Sequence, residues 1–259
     1  MKKYGLFQYP QKESLSKKVF NEYFRKADIN AIYEDIVIEP KDFDNKAEYY
    51  LESYEGVNVT VPFKQKVIKF VEPVEDAKEI GAVNCIYHNK GYNTDWKGFY
   101  NSLENVEIEL PVLIIGAGGA CKAILYTLFK KDIKEIILVN RTKEKAENLK
   151  KYFSDKLEIH IEPFENLKIV IKKVKTLINS TSIGMFGESF DFTDSDLSNI
   201  TFIYDIVYND TPLQQLAKKN NITCLDGKIF WYYQALENLK IWNIYQEEIF
   251  KKVFSDFQK

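Results

Sequence analysis

VLIIGAGGACKAILYTLFKKDIKEIILVNRT, residues 112–142, is the stretch whose reading decides the fold. It opens on four apolar residues and turns on Gly116, Gly118 and Gly119. It continues into an amphipathic run in which Ile124, Leu125, Leu128 and Phe129 recur at helical spacing. A second apolar run, residues 135–139, ends at Asn140-Arg141-Thr142. Strand, glycine turn, helix and strand in that order form the first half of a dinucleotide-binding fold. The glycines let the backbone turn tightly and bring its N–H groups to a pyrophosphate at a helix N-terminus. Cys121 stands where the third position of such a fingerprint is usually Gly or Ala. At the end of the second strand, sites for NAD place Asp or Glu against the ribose 2′-hydroxyl. This chain has Asn140 and Arg141 there. A guanidinium suits a 2′-phosphate that a carboxylate would repel, so the cofactor reads as NADP(H). The other reading of Arg141 is a solvated cation at a helix start.

Composition narrows the class. A chain of 259 residues can form two modest domains or one large one. With 45% hydrophobic and 29% charged residues it falls among ordinary soluble globular proteins. A net charge of −2 and the lack of a basic stripe give no support for a nucleic-acid partner. Cys85, Cys121 and Cys224 are odd in number and outside any ligand spacing, which points to a reducing compartment and away from disulfides or zinc. Only His88 and His160 are present, so no metal site is expected. The N-terminal MKKYGLFQYPQKE lacks the apolar core of a signal peptide, and no 18-residue apolar run occurs. A cytoplasmic protein without a membrane partner is expected.

Outward from the glycine stretch, strands and helices alternate. Residues 3–8 read as a strand, with a helix capped at Ser14-Leu15-Ser16 burying Val19, Phe20 and Phe24. A strand over 31–38 and a helix over 43–51 follow. Residues 57–61 form a short strand stopped by Pro62, with a helix expected from Phe63-Lys64. A helix over 74–80, strands over 83–87 and 91–93, and a helix over 94–104 complete an N-terminal α/β unit. Beyond Thr142 come a charged helix to Phe153 and strands over 158–161, 174–179, 201–207 and 222–225, with a helix from Pro212. Six strands between 112 and 225 suffice for a complete dinucleotide-binding sheet. From Phe230 onward the pattern is one long aromatic-rich helix, or two broken near Asn243.

Four segments combine polar residues with tight turns. Ser14 and Ser16 can bind a carboxylate at a helix start or act only as caps. In residues 58–64 (NVTVPFK), strand alternation turns Asn58 and Thr60 to one face and Val57, Val59 and Val61 to the other. Proline then fixes where Lys64 emerges, as a general acid or as a solvated charge. Asn84, in GAVN at 81–84, offers donor and acceptor together. Asp95, in NTDWKGF at 93–99, stands at an N-cap position. Finally YDIVY at 204–208 and Asp226-Gly227 lie at strand ends where ligands enter open α/β sheets, with Gln234 on the helix beyond.

Taken together, SLS at 14–16, NVTVPFK, GAVN, NTDWKGF, GAGGA at 116–120, NRT at 140–142, NSTSIGM at 179–185, YDIVY and the later Gly227 and Gln234 resemble the shikimate dehydrogenase family. The resemblance spans nearly the whole chain in order. It implies an α/β protein with two domains: a substrate domain over 1–97 plus 229–259, and a Rossmann domain over 98–228 binding NADP(H). The C-terminal helices would return to the first domain, with the active site in the cleft between domains. Lys64 and Asp95 are then the expected catalytic pair. Ser14 and Ser16 would take the substrate carboxylate, and Thr60, Asn84 and Gln234 the ring hydroxyls, with Tyr208 nearby. Gly116, Ala117, Gly118, Gly119 and Ala120 would carry the pyrophosphate, and Asn140, Arg141, Thr142 and Lys145 the 2′-phosphate end. Thr181, Ile206 and Gly227 should approach the cofactor.

The implied reaction is reversible reduction of 3-dehydroshikimate to shikimate, by a monomer or homodimer. Departures from the family pattern are Glu13 and Lys17 around the serines in place of His and Pro, and a loop after Tyr208 about two residues shorter than usual. Ile229, Phe230 and Trp231 replace a Gly and a Met-Leu pair. They leave open a quinate-type dehydrogenase with a shifted substrate. A catalytically silent ligand-binding paralogue is the reading from outside enzymology.

Overall fold

A computed structural model describes residues 1–208 and 210–258. The chain divides into two compact units, Met1–Lys97 with Gln234–Lys259, and Gly98–Tyr233; Lys259 itself lies outside the described residues.

The first unit runs β1 (Lys2–Gln8), α1 (Leu15–Lys26), β2 (Ala31–Val37), α2 (Phe43–Ser53), β3 (Gly56–Val59), β4 (Glu72–Pro73), α3 (Glu75–Ile80), β5 (Cys85–Tyr87), β6 (Lys90–Tyr92) and the first turn of α4 (Thr94–Ser102). Its sheet has the order β2-β1-β3-β5-β6-β4. β2 and β3 lie parallel to β1, and β5 is antiparallel to β3. The interior strand β1 is apolar on both faces because both are covered. Tyr4 meets Phe24 of α1 at 5.4 Å, and Phe7 meets Phe43 of α2 edge-on at 5.5 Å. Each such buried ring contributes roughly 1.5–3 kcal/mol before the entropy cost of ordering it.

Two sequence expectations fail between Thr60 and Phe70. Strand alternation groups Val61 on one face with Val57 and Val59, but those two are buried and Val61 is 58% exposed. The strand ends at Val59, and a turn closed by Phe63 N–H donating to Thr60 O breaks the alternation. No α-helix starts at Phe63-Lys64 either; a 3₁₀ segment covers Lys66–Phe70. The Lys64 carbonyl accepts from Val83 N (2.8 Å) and not from Ile68, the fourth residue on. One α-type turn forms, Val67 N donating to Phe63 O at 2.9 Å, but Ile68 N then reaches Gln65 O at 3.4 Å and the segment continues as 3₁₀.

The second unit continues from α4 with β7 (Val112–Ile115), α5 (Gly119–Lys130), β8 (Glu135–Val139), α6 (Lys143–Tyr152), β9 (Glu158–Glu162), α7 (Leu167–Val170), β10 (Thr176–Asn179), β11 (Phe202–Asp205), α8 (Pro212–Lys219) and β12 (Thr223–Leu225). All six strands are parallel, in the order β12-β11-β10-β7-β8-β9. β7, β10 and β11 are buried along their whole length, as near-continuous apolar runs in a parallel sheet require. The chain steps outward from β7 through β8 to β9, then returns to lay β10 against the other side of β7. At that reversal the carboxyl ends of β7 and β10 leave a crevice suited to a dinucleotide. In α5, Ile124, Leu125 and Leu128 are buried as expected, and so are Cys121, Tyr126 and Thr127.

The C-terminal segment forms two helices, α9 (Gly227–Ile241) and α10 (Glu247–Phe257). The break between them contains Asn243 at φ 56°, a left-handed position that ends α9. The expected second domain boundary at 228/229 and the division at 233/234 both fall within α9, which runs unbroken. Phe250 of α10 packs on Phe20 and Tyr23 of α1. Between the helices, Trp242 lies in the first unit's core, 4.8 Å from Tyr4 and 5.5 Å from Phe20. Its indole leaves no room for a Cβ at Gly56, which would lie 2.5 Å from Nε1. Among the described residues no helix is long and apolar enough to cross a membrane.

Candidate active site

In the first unit, β3, the turn after it, β5 and the start of α4 converge on one ion pair. Phe63, stacked on Phe43 at 4.2 Å, anchors the turn from inside, and the Lys64 carbonyl is tied to Val83. From that fixed backbone Lys64 Nζ reaches Asp95 Oδ2 at 2.5 Å. The two side chains are only 14% and 7% exposed. Asp95 is not a helix cap: Asn93 takes that role, its Oδ1 accepting from Trp96 N at 3.3 Å. Asp95 sits one residue inside α4, which frees its carboxylate to meet Lys64 and Asn84. Asn84 Nδ2 donates to Asp95 Oδ1 (2.8 Å) and to Thr94 Oγ1 (3.0 Å), and its Oδ1 accepts from Thr94 N (2.6 Å). Expected to face a ring hydroxyl, Asn84 thus has both ends of its amide engaged within the protein and is 3% exposed. Thr60 lies at the end of β3, half-buried.

The serine pair is also held internally. Ser14 caps α1 by accepting from Lys17 N (3.0 Å), and its hydroxyl donates to Asp35 Oδ1 at 2.6 Å. Ser14 N–H points to the other Asp35 oxygen at 3.2 Å. A carboxylate of the protein therefore occupies the Ser14 donors expected for a substrate carboxylate. Ser16, half-buried, hydrogen-bonds the Tyr33 hydroxyl, which in turn donates to Asn58 Oδ1 at 2.8 Å. Burial drives the Tyr33 phenol well above its usual pKa, so it stays neutral and donating. Glu13 turns away to an exposed ion pair with Lys18 at 2.9 Å, which holds its carboxyl below the usual range. Gln234 on α9 accepts from Asn238 Nδ2 at 3.2 Å, and Asn238 Oδ1 accepts from Thr94 Oγ1 at 2.8 Å. Asp35, Tyr33, Thr94 and Asn238 were not singled out in the sequence. Only Thr94, inside NTDWKGF, carried a local signal.

In the second unit, the glycine turn follows β7. Gly116 has φ +109°, and a Cβ there would lie 2.6 Å from Ser180 Oγ and 2.7 Å from Thr181 Cγ2. Thr181 is thus packed directly beside the turn, its hydroxyl fixed to Asn179 Oδ1 at 2.7 Å. Gly118 differs: its φ is −94°, and a Cβ would meet nothing within 4 Å. Neither backbone angle nor packing demands a glycine at this N-cap of α5, so what the missing side chain leaves is space over a helix N-terminus. Gly119 and Ala120 open that helix, and Ala117 precedes it. Cys121 is wholly buried, and burial pushes its thiol up to about 12, so it is inert packing.

At the end of β8, Asn140 Nδ2 braces the Thr142 carbonyl (2.7 Å). Thr142 occupies the N-cap of α6 without a side-chain cap bond. Arg141, Thr142 and Lys145 are exposed, and Arg141 makes no ion pair among the described residues. After β11, Ile206, Tyr208 and Gly227 come together. A Cβ on Gly227 would lie 2.0 Å from Ile206 O and 2.8 Å from the Tyr208 ring, and Gly227 N donates to Val207 O. Asp226 caps α9 by accepting from Lys228 N at 2.9 Å. The short loop after Tyr208 includes Asn209, outside the described residues.

Two family models match the chain: the shikimate dehydrogenase substrate binding domain over residues 6–86, and shikimate / quinate 5-dehydrogenase over 103–186. A curated relative, shikimate dehydrogenase (NADP(+)) of Thermotoga maritima, is 44% identical over 99% of this chain and 100% of its own. The crystal structure of shikimate dehydrogenase from Thermotoga maritima superposes with a TM-score of 0.93, covering 99% and 100% of the two chains at 44% identity. That of the Aquifex aeolicus enzyme gives 0.85 at 35% identity, covering 97% of each chain.

Proposed function

Because the chain belongs to the shikimate dehydrogenase family, we propose that it reduces 3-dehydroshikimate to shikimate with NADPH, reversibly, and that Lys64 and Asp95 are its catalytic pair. The observation that carries the assignment is the nearly buried 2.5 Å contact between Lys64 and Asp95, braced by Asn84. NADPH, when bound, supplies the hydride. As the carbonyl becomes an alcohol, negative charge develops on its oxygen, and the Lys64 ammonium hydrogen-bonds that oxygen and gives it a proton. Its neutral amine then regains a proton from solvent. Asp95 holds Nζ in place through Oδ2. A carboxylate has about four acceptor sites, so Asp95 can also take a substrate hydroxyl. Asn84 acts by fixing Asp95. Ser16, Thr60 and Gln234 are the side chains we assign to the substrate, and Ser14 joins them only if its hydroxyl leaves Asp35.

The residues present in the second unit suit NADP(H). The open space over Gly118 admits a pyrophosphate to the N-terminus of α5, which favours an anion. Arg141, the uncapped Thr142 and Lys145 provide a cation, a hydroxyl and a second cation for a 2′-phosphate. Arg141→Ala is expected to raise KM for NADPH about ten- to thirtyfold and to leave KM for NADH within about twofold, the loss of one charge-assisted contact. Steady-state kinetics with both cofactors checks this; an equal rise for NADH would remove Arg141 from the 2′-phosphate site. Three reduced thiols and the lack of a membrane-spanning helix among the described residues support a cytoplasmic placement.

The deciding experiment follows NADPH oxidation with 3-dehydroshikimate, beside NADH and beside 3-dehydroquinate. Rapid turnover with NADPH and 3-dehydroshikimate alone is expected. Faster turnover with 3-dehydroquinate would make this a quinate-type enzyme and turn attention to Ile229. Ligand-induced thermal stabilisation without turnover would make it a binding protein.

A further inference from the structure

Asn238 lies one helical turn beyond Gln234 in α9, wholly buried, and both ends of its amide are committed. The polarity of each amide here is dictated by its neighbours, beginning at Asp95. An ionised carboxylate only accepts, so Asn84 must turn Nδ2 toward Asp95 Oδ1, leaving its Oδ1 for Thr94 N–H. The same Nδ2 lies 3.0 Å from Thr94 Oγ1. Having accepted there, the Thr94 hydroxyl gives its single proton to Asn238 Oδ1 at 2.8 Å; its approach to Asn84 Oδ1 is longer, at 3.2 Å. Asn238 then faces Gln234 with Nδ2, and Gln234 answers with Oε1 at 3.2 Å. That places the Gln234 Nε2 group on the other fork of its amide.

We infer that Asn238 is a positioning residue, which carries the polarity set at Asp95 through Thr94 to Gln234 and makes Gln234 present an N–H donor to the substrate. The site then selects an acceptor oxygen at that point of the ring. The inference rests on the dehydrogenase reading and on Gln234 as a substrate ligand. Asn238→Leu removes both links with the same number and branching of side-chain heavy atoms. Asn238→Asp keeps shape and the acceptor for Thr94, but takes away the donor that fixes Gln234.

The test measures shikimate oxidation with NADP⁺ for the wild type, both variants, Gln234→Ala and the double variant Gln234→Ala/Asn238→Leu, with thermal melts alongside. Expected is a rise in KM for shikimate of about tenfold in each Asn238 variant, with kcat within about twofold, as for loss of binding shared by ground and transition states. Adding Asn238→Leu to Gln234→Ala should raise KM no further. Unchanged KM in the folded variants overturns the inference. So does a KM penalty that persists in full without Gln234, since it would then be general loosening of the core. Should Asn238→Leu fail to fold, Asn238→Asp decides on the same readouts, singly and on the Gln234→Ala background. A wild type that turns over no shikimate removes the dehydrogenase reading itself, and this inference with it.

Discussion

Lys64→Ala is expected to lower kcat by about 10²–10⁴-fold, the usual contribution of a positioned proton donor. The loss should appear equally in kcat/KM, because the ammonium meets full charge only as the carbonyl oxygen becomes an alkoxide. Deleting one member of a nearly buried pair carries a second effect. Asp95, 7% exposed, would keep Asn84 but lose its cation, which in buried pairs costs about 3–5 kcal/mol of stability. Rates must therefore be read on protein shown to be folded by circular dichroism at the assay temperature. A companion variant, Lys64→Met with Asp95→Asn, removes both charges and with them the uncompensated one. Low turnover in both proteins, with the companion closer to wild-type stability, is the expected pattern. A folded Lys64→Ala protein with wild-type kcat would end the proposed role.

Gly118→Val should weaken NADPH binding by about a hundredfold or more while leaving the apoprotein melting temperature within about 2 °C. Those two outcomes are usually opposed at a glycine, and here the geometry separates them. With φ at −94°, Val is accommodated without backbone strain, and its Cβ enters a region where nothing beyond its two chain neighbours lies within 4 Å. What the Cβ of the new side chain does occupy is the space in which a ligand would sit on the N-terminus of α5. An affinity loss of that size, roughly 2.7 kcal/mol, is what exclusion from several backbone donors produces. Gly116→Val would not make this distinction. Its φ of +109° and its approach to Ser180 would damage the fold as well. Titration of NADPH fluorescence with a parallel melt is sufficient, and unchanged affinity would place the pyrophosphate elsewhere.

How much of this was readable in advance depends on how local the cause is. Residues 112–142 declare themselves because strand, turn and helix are each written within a few residues, and β7, α5 and β8 appear where the periodicity put them. The segment after Thr60 did not. It makes one α-type turn and then narrows to 3₁₀ where the Lys64 carbonyl meets Val83, nineteen residues away, a partner of which the local pattern holds no trace. Asp95 illustrates the same limit. A carboxylate at the start of α4 looks locally like a cap; the family resemblance set it beside Lys64, and only the fold shows that Asn93 takes the capping duty and leaves Asp95 for that pair. Asp35 sits in β2 as one polar residue among several, and its hold on Ser14 depends on bringing β2 alongside the start of α1. The link from Thr94 to Asn238 spans 144 positions. Motifs marked the glycine turn and the ion pair; the residues that orient them emerge only from packing.

Trp242 gives the chain a temporal order. The core around Tyr4, Phe20 and Tyr33 is composed of residues made early, yet its largest ring and the α10 side chain Phe250 are made after the whole of Gly98–Tyr233. On the ribosome the nucleotide-binding unit has all its strands before the amino-terminal unit has its last wall. The earlier segment must wait with aromatic surface uncovered, in the kind of state that chaperones hold. A nascent chain halted before Trp242 should accordingly protect the 98–233 region from protease while leaving the first ninety-seven residues open to it.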